Sequence, residues 1–156
     1  MQIVKPSIVG NILFVFSNIG SLEKIKFVDE PYTISKNTTA DLIIQSLTQV
    51  NTDLSTINFT RKGTPFQISI WDYLLQIPRG TTLSYGELAQ IVGGSGLSVG
   101  NALRANPLPI LFPCHRIVAK SGLGGYSGQT KGKMINIKKK LLQLEGVKLD
   151  QITRAY

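Results

Sequence analysis

The chain has 156 residues, 42% of them apolar, which suffices for one domain or for two small lobes around a core. With 17 Lys and Arg against 9 Asp and Glu, its formal charge of +8 favours a polyanionic partner, nucleic acid before membrane. One Cys excludes an internal disulfide, and the single His beside it excludes a structural zinc site of the common Cys/His type. No apolar stretch reaches about 18 residues, so we expect no membrane span. The N-terminus lacks the pattern of a secretory signal, which favours a reducing, cytoplasmic compartment.

The first sixty residues predict a small α/β lobe that serves as a scaffold. Runs rich in Ile, Val, Phe and Leu predict strands, joined in a hairpin by the turn-like Asn18 to Ser21. A helix follows, with Thr38 or Thr39 as its N-cap. The predicted strands are Ile8 to Phe16, Leu22 to Val28 and a short one at Ile57 to Phe59, and the helix uses Leu42, Ile43, Leu47 and Val50. A boundary near Arg61-Lys62-Gly63 gives two domains, 1–61 and 62–156.

The second lobe opens with three helix signals. Thr64-Pro65 is an N-cap followed by proline at the first helical position, and this helix runs towards Pro78. Ser84 and Glu87 form a capping box for a helix that stops at Gly93, and a further short helix ends at Asn106-Pro107. The residues predicted to face inward are Phe66, Ile70, Trp71, Leu74 and Leu75, then Leu88, Ile91 and Val92, then Leu97, Val99, Ala102 and Leu103. The last two helices are a helix-turn-helix candidate, although the pattern alone also fits an ordinary helical hairpin.

The remainder of the chain presents the only cysteine. Three prolines within 107–113 forbid a helix and predict an extended segment that leads to Cys114. A loop with four glycines, Ser121 to Gly128, comes next. The chain closes with a basic amphipathic helix that places Met134, Ile137, Leu141 and Leu144 inward and stops at Gly146. Its Lys138-Lys139-Lys140 run is interpreted as a solvated face, with phosphate contact as the alternative.

Cys114 stands beside the only His and an Arg. A lone cysteine is more often a buried hydrophobe than a nucleophile. However, His115 and Arg116 bring positive charge and a proton acceptor close to the thiol, and these raise the fraction of reactive thiolate. Adjacent residues of an extended segment point to opposite sides, so a Cys–His contact needs a bridging water or a local turn.

The motif Pro113-Cys114-His115-Arg116 resembles the active-site signature of the O6-alkylguanine-DNA alkyltransferases, also called methylated-DNA–protein-cysteine methyltransferases. The resemblance covers about Thr64 to Lys148, with blocks in the family's order. The matching blocks are Ser84-Tyr85-Gly86-Glu87-Leu88-Ala89, Asn106-Pro107-Leu108-Pro109-Ile110, Gly124-Gly125-Tyr126-Ser127 and Leu144-Glu145-Gly146. It implies an α+β fold, with a small N-terminal antiparallel-sheet lobe, RNase H-like or ferredoxin-like, and a C-terminal winged helix-turn-helix lobe.

The resemblance also implies a reaction and its residues. Cys114 would accept an alkyl group from O6 of guanine, irreversibly and once per molecule. His115 would take the thiol proton through a water, oriented by Glu145, while Tyr85 would hydrogen-bond or protonate the departing base. Asn106 would brace the cysteine segment, and the guanine pocket would be lined by Tyr85, Cys114, Ile117, Tyr126 and Ser127. Neither a metal nor an organic cofactor is implied.

For the partner, the resemblance implies double-stranded DNA bound through its minor groove by a monomer, with the damaged nucleotide turned out of the stack. Small residues on the second helix would allow close approach, and Arg104 would contact phosphate. The predicted DNA-binding set is Gly96, Leu97, Ser98, Gly100 and Arg104.

Two departures from the family pattern bear on this prediction. Leu97 stands where the family usually has an arginine that fills the place of the flipped base, which predicts weaker binding or slower extrusion. The interval from Tyr126-Ser127 to Glu145 is longer than usual by a little over a helical turn, so the extra residues must loop out for Glu145 to reach His115.

Two other functions fit part of the sequence. A helix-turn-helix regulator with an inert cysteine would explain the charge and the two helices, but not the Pro-Cys-His-Arg setting. A cysteine hydrolase would need a base facing the thiol and an oxyanion site, and it would turn over repeatedly.

Overall fold

The computed structural model describes residues 1–153, which divide into two compact units. The first contains residues 1–62 together with Pro107–Leu111, and the second contains residues 63–106 and the chain from Phe112 onward. Two continuous domains therefore do not represent the division fully, because the short segment before Cys114 belongs with the N-terminal unit. Within the described residues, no helix is both long and apolar enough to cross a membrane.

The first unit is a three-stranded antiparallel sheet with one helix. Strands β1 (Gln2–Lys5), β2 (Asn11–Phe16) and β3 (Leu22–Val28) lie side by side in chain order, and α1 spans Thr38–Ser46. Burial alternates along β2, where Ile12, Phe14 and Phe16 point into the core, as expected of a strand with one solvated face. The predicted hairpin between β2 and β3 is confirmed, and β3 has the predicted bounds.

Several predictions for this unit were wrong in detail. Strand β1 was missed, and Ile8 and Val9 lie in the turn between β1 and β2 rather than in a strand. The cap of α1 is Asn37, whose side chain accepts from the Ala40 amide, and not Thr38 or Thr39. Val50 lies beyond the end of α1 and is exposed. The stretch 57–59 forms only an isolated bridge from Phe59 to Leu22.

The second unit is mainly helical. It contains α2 (Pro65–Leu74), β4 (Leu83–Ser84), α3 (Tyr85–Val92), α4 (Gly96–Arg104), a 3-10 turn (Cys114–Arg116), β5 (Ile117–Val118), α5 (Lys133–Leu144) and α6 (Leu149–Thr153). Strands β4 and β5 pair in parallel. The predicted cap at Thr64 and the capping box of Ser84 with Glu87 are confirmed, and α4 has its own box through Ser95 and Ser98.

The helix-turn-helix consists of α3 and α4, joined at Gly93 and Gly94. Leu88, Val99, Ala102 and Leu103 are buried as predicted. Leu75, Ile91 and Leu97, also predicted to face inward, are instead 52%, 51% and 76% exposed. The helices are short, and which apolar residue of a turn faces the core depends on packing that helical spacing alone does not specify.

The segment before Cys114 is not helical, as its prolines predict, but it is not extended throughout. Ile110 has φ +76, which makes a turn in the left-handed region that β-branched residues rarely adopt. The amide of Ile25 donates to the Pro107 carbonyl over 2.9 Å, which ties this segment into the first unit. The predicted fold class, an antiparallel-sheet lobe plus a helix-turn-helix lobe, is confirmed.

Candidate functional site around Cys114

The Cys114–Arg116 turn fixes the cysteine in a tight local geometry. The amide of Cys114 donates to Phe112 O over 2.7 Å, and that of Arg116 donates to Pro113 O over 3.0 Å. Cys114 and His115 are 8% and 2% exposed. The sequence left open a water or a local turn as the way to join thiol and imidazole. The backbone forms a turn here, but Nδ1 of His115 has no hydrogen-bond partner among the described residues.

Glu145 joins His115 and Arg116 in one cluster. Its Oε1 lies 2.8 Å from His115 Nε2 and 2.8 Å from Arg116 Nη2, and its Oε2 accepts from Arg116 Nε over 3.0 Å. Burial alone would raise the pKa of this carboxyl, but the hydrogen bonds from His115 and Arg116 outweigh it and lower the pKa to about 2. Burial lowers the pKa of His115, an effect that Glu145 opposes. At neutral pH the cluster therefore holds a carboxylate against a neutral imidazole.

The end of α5 delivers Glu145 to this place. Gly146 adopts φ +82 directly after Glu145, and the Val147 amide donates to Leu142 O over 2.9 Å, as in a Schellman motif. The sequence signal for this stop is confirmed. The longer interval before Glu145 does not prevent its contact with His115, because residues 127–132 form turns and bends ahead of α5.

The thiol of Cys114 lies in a buried polar setting. Burial raises its pKa, while hydrogen bonds from Asn106 and Tyr126 and the cation of Lys138 act in the opposite direction. The side chain of Asn106 also donates to Phe112 O over 2.9 Å, which braces the chain immediately before the cysteine. The environment thus opposes the thiolate by desolvation and favours it by these three groups.

Lys138 was predicted to lie on a solvated or phosphate-binding face, and that prediction was wrong. Its side chain is fully buried, and Nζ donates to the carbonyls of Ile117, Leu123 and Gly125 over 2.6, 2.5 and 2.9 Å. Burial lowers its pKa to about 8. An ammonium has three donors, so this position satisfies all of them and ties β5 to the glycine loop. In the sequence Lys138 is the first of three consecutive lysines, and this run gives no sign that one of the three side chains is buried.

A cavity of about 330 Å³ extends from Cys114 to α4 and to the glycine loop. The cavity is lined by Tyr85, Gly96, Leu97, Gly100, Asn101, Leu103, Arg104, Cys114 and residues 125–130. Tyr85 Oη donates to Gly125 O over 3.3 Å. Gly124 has φ +70, and a Cβ there would lie 2.8 Å from the Tyr85 ring, so glycine allows this close approach. Burial raises the pKa of Tyr85 and of Tyr126, which keeps both hydroxyls protonated.

Most residues selected from the sequence meet at this cavity or at the cluster beneath it. Ser127, with φ +48, turns the loop at the cavity. Ile117 lies apart from the lining, fully buried with its carbonyl taken by Lys138. Ser98 does not line the cavity either, because its hydroxyl closes the capping box with Ser95.

The outer face of α4 is open at its small residues. A Cβ at Gly96 or Gly100 would meet nothing within 4 Å, so the backbone there is accessible to a partner. Arg104 is exposed on the last turn and packs beside Gly128. Residues 1–153 contain no group of three or more His, Cys, Asp or Glu side chains that would hold a metal ion.

The second unit thus defines a helix-turn-helix protein with a buried Cys-His-Glu site beside its second helix. The family model described as "6-O-methylguanine DNA methyltransferase, DNA binding domain" matches residues 65–147, more than half of the chain. The chain belongs to this family.

Named relatives and solved structures agree with the family model. The methylated-DNA–protein-cysteine methyltransferase of Methanothermobacter thermautotrophicus is 43% identical over 103 residues, which is 65% of this chain and 55% of that protein. The Thermococcus barophilus protein of the same name is 44% identical over 89 residues, 56% of this chain and 48% of its own length. The chain therefore matches about half the length of these relatives.

Two solved structures are similar in fold to this chain over nearly its whole length. Mycobacterium tuberculosis OGT in complex with DNA has a TM-score of 0.74 at 29% identity and covers 98% of both chains. The O6-methylguanine-DNA methyltransferase of Pyrococcus kodakaraensis has a TM-score of 0.77 at 28% identity, covering 94% of this chain and 100% of its own.

Proposed function

We propose that this protein repairs double-stranded DNA by moving an alkyl group, such as methyl, from O6 of guanine to Sγ of Cys114, once per molecule. The observation that carries the proposal is that Cys114 lines the same cavity as α4 and the glycine loop, above the His115–Glu145 pair. A reactive sulfur, a recess for a base and a DNA-binding helix then belong to one small region. Membership of the methyltransferase family supports the same reaction.

In the proposed reaction, His115 accepts the proton of the Cys114 thiol. Because Glu145 is ionised, it holds the proton of His115 on Nε2, which leaves Nδ1 as the accepting nitrogen. That Nδ1 is buried and has no hydrogen-bond partner among the described residues. A water between Sγ and Nδ1 would carry the proton, and the neutral imidazole set by burial is able to accept it.

The transfer itself exchanges one bond for another. The Sγ–carbon bond forms while the carbon–O6 bond breaks, and its electron pair leaves with guanine. Tyr85, kept protonated by burial, would hydrogen-bond or protonate the departing base. The product is a thioether without a bond that water readily breaks, so the molecule acts once. The reaction requires neither a metal nor an organic cofactor.

The cavity supplies the recognition of the base. Tyr126, Ser127 and the backbone at Cys114 would contact the guanine edge and ring, and Asn106 would keep the cysteine segment braced. An alkyl carbon within stacked DNA cannot be reached by a sulfur, so the nucleotide must be turned out, which costs a few kcal/mol.

The proposed DNA contact is made by α4 in the minor groove. This groove carries little sequence information, which suits repair at any sequence. Gly96 and Gly100 permit close approach, Leu97 would act as a wedge in the base stack, and Arg104 would contact phosphate. We further propose that the protein works as a monomer, inside the cell where it has access to DNA.

Intact-mass measurement after incubation with duplex DNA containing one O6-methylguanine tests the reaction. We expect the mass of the chain to rise by one methylene unit, located on the Cys114 peptide. The Cys114→Ala variant should gain no mass and still bind DNA. An unchanged mass of the unaltered chain would favour the regulator with an inert cysteine, and mass gained by Cys114→Ala would place the acceptor elsewhere.

A further inference from the structure

The turn between α2 and β4 reaches the catalytic cluster at two points. At its beginning, the carbonyl of Ile77 accepts from Nη1 of Arg116 over 2.7 Å. Two residues later, Nη2 of Arg79 donates to the carbonyl of Leu144 over 3.0 Å. The sequence indicated only a Pro78-Arg79-Gly80 turn, because both contacts join residues that are 39 or more positions apart.

Arg79 binds α5 at the residue before Glu145. The last carbonyls of a helix have no partner within the helix, and a cation at that end also interacts favourably with the helix dipole. The Arg79 guanidinium supplies both a donor for one of these carbonyls and a positive charge at the helix end. Gly80 follows with φ +82, and a Cβ there would lie 2.9 Å from the Glu145 carbonyl, so the turn packs directly against the helix end.

These contacts close a ring of hydrogen bonds. Glu145 binds Arg116, Arg116 binds Ile77, and the turn returns through Arg79 to Leu144, next to Glu145. The position of the Glu145 carboxylate is thereby fixed from its own backbone as well as from its side-chain partners. Arg116 alone would hold the carboxylate but would leave the helix end free to shift.

We propose that Arg79 is a positioning residue for alkyl transfer, which holds the end of α5 so that Glu145 keeps its contact with His115. This inference rests on the proposed function, since it assigns Arg79 to the same site. Arg79 does not line the cavity of Cys114. Its hydrogen bond to the Leu144 carbonyl is the contact through which it would act on Glu145. Without it, α5 keeps its Schellman stop, but the distance between Glu145 and His115 is no longer fixed to within a fraction of an ångström.

The test uses His115 as its own reporter. The chain contains one histidine, so the imidazole nitrogens give a single set of NMR signals. Among the charges that act on His115, Glu145 raises its pKa, whereas Arg116 and Lys138 lower it. In Arg79→Met we expect the Nε2 signal to move and the His115 titration to shift to lower pH, because the Glu145 contact is weakened. Single-turnover transfer should slow by about tenfold, since small misplacements of catalytic groups cost this much or more, with DNA affinity unchanged.

Two variants make the result specific. Arg79→Lys keeps a donating cation at the helix end and should recover most of the His115 signal and rate. Lys24→Met removes an exposed positive charge from β3 and should change neither. If Arg79→Met fails to fold, Arg79→Gln takes its place. Because it keeps a donor without the charge, the same changes are expected at smaller size. Unaltered His115 signals and titration in the folded variant would overturn the proposal, whereas absence of transfer by the unaltered chain would instead overturn the proposed function.

Discussion

At the scale of single residues, the second unit relies on charges buried beneath the cysteine. Lys138 is enclosed, yet its three donors are all matched by carbonyls of β5 and the glycine loop. Glu145 is 7% exposed and receives donors from both His115 and Arg116. Buried charges with complete partners organise a site, and removing one partner leaves the others unsatisfied at considerable cost.

Replacement of Lys138 tests the first of these charges. We expect Lys138→Met to lower the free energy of unfolding by about 3 kcal/mol, because three carbonyls lose the ammonium donor, although that of Gly125 keeps a second donor, from Tyr85. Urea unfolding measures the change. The exposed neighbour offers a matched control, since Lys139→Met should alter stability by no more than about 0.5 kcal/mol. Equal stability of the two variants would show that the carbonyls find other partners.

The low pKa of Glu145 predicts an acid-sensitive fold. A carboxyl whose pKa is about 2 in the folded state, against an ordinary 4.5, binds fewer protons folded than unfolded between those values. Its stabilisation is therefore complete above pH 4.5 and is lost as the pH falls towards 2, amounting to about 3 kcal/mol. Unfolding free energies between pH 2 and 5 should fall more steeply for the unaltered chain than for Glu145→Gln. Parallel curves would argue against an ionised, paired Glu145.

At the scale of elements, the helix-turn-helix presents an unusual apolar side chain. Leu97 lies on the first turn of α4 and is 76% exposed. Its side chain therefore contributes nothing to the core. An apolar wedge can separate stacked bases, but it cannot hydrogen-bond the base left unpaired. Helical spacing predicted an inward position for Leu97, whereas the exposed position leaves the side chain free for the proposed DNA contact.

Replacement of Leu97 by arginine tests that role. We expect Leu97→Arg to bind O6-methylguanine duplex more tightly and to react severalfold faster, because the guanidinium both donates to the orphaned base and attracts the backbone. Single-turnover rates and DNA affinity at fixed salt measure this. Ile19→Arg adds the same charge at an exposed apolar residue of the first unit and should leave the rate unchanged. An effect of equal size in both variants would reduce the result to net charge.

The elements that the sequence predicted well carry local signals. The starts of α2 and α3 follow from the Thr64-Pro65 and Ser84–Glu87 patterns, and the end of α5 follows from Gly146, because caps depend on residues within one turn. The family resemblance led to the residues around Cys114. Three features could not be predicted, because each depends on groups distant in the chain. They are the burial of Lys138, the contact of Arg79 with Leu144 and the exposure of Leu97. Strand β1 was missed since four residues give too short an alternation to distinguish from a turn.

At the scale of the whole molecule, net charge governs association with DNA, and the number of cysteines limits how often a chain could react. A charge of +8 favours association with DNA at many sequences, and this attraction weakens as salt rises. In the proposed function, such binding would bring the cavity to damaged bases without selecting a sequence. The proposed reaction would use one thiol per chain, because the chain contains a single cysteine. The proposed function therefore predicts that the extent of repair is limited by the amount of protein rather than by time.

The most direct measurement counts the alkyl groups transferred per chain. Increasing amounts of duplex with labelled O6-methylguanine are added to a fixed amount of protein, and label on the protein and unmodified guanine in the DNA are both quantified. We expect one labelled methyl per chain, a matching amount of restored guanine, and no further reaction with excess substrate. Guanine restored repeatedly by each chain, or DNA bound with no label transferred to Cys114, would contradict it.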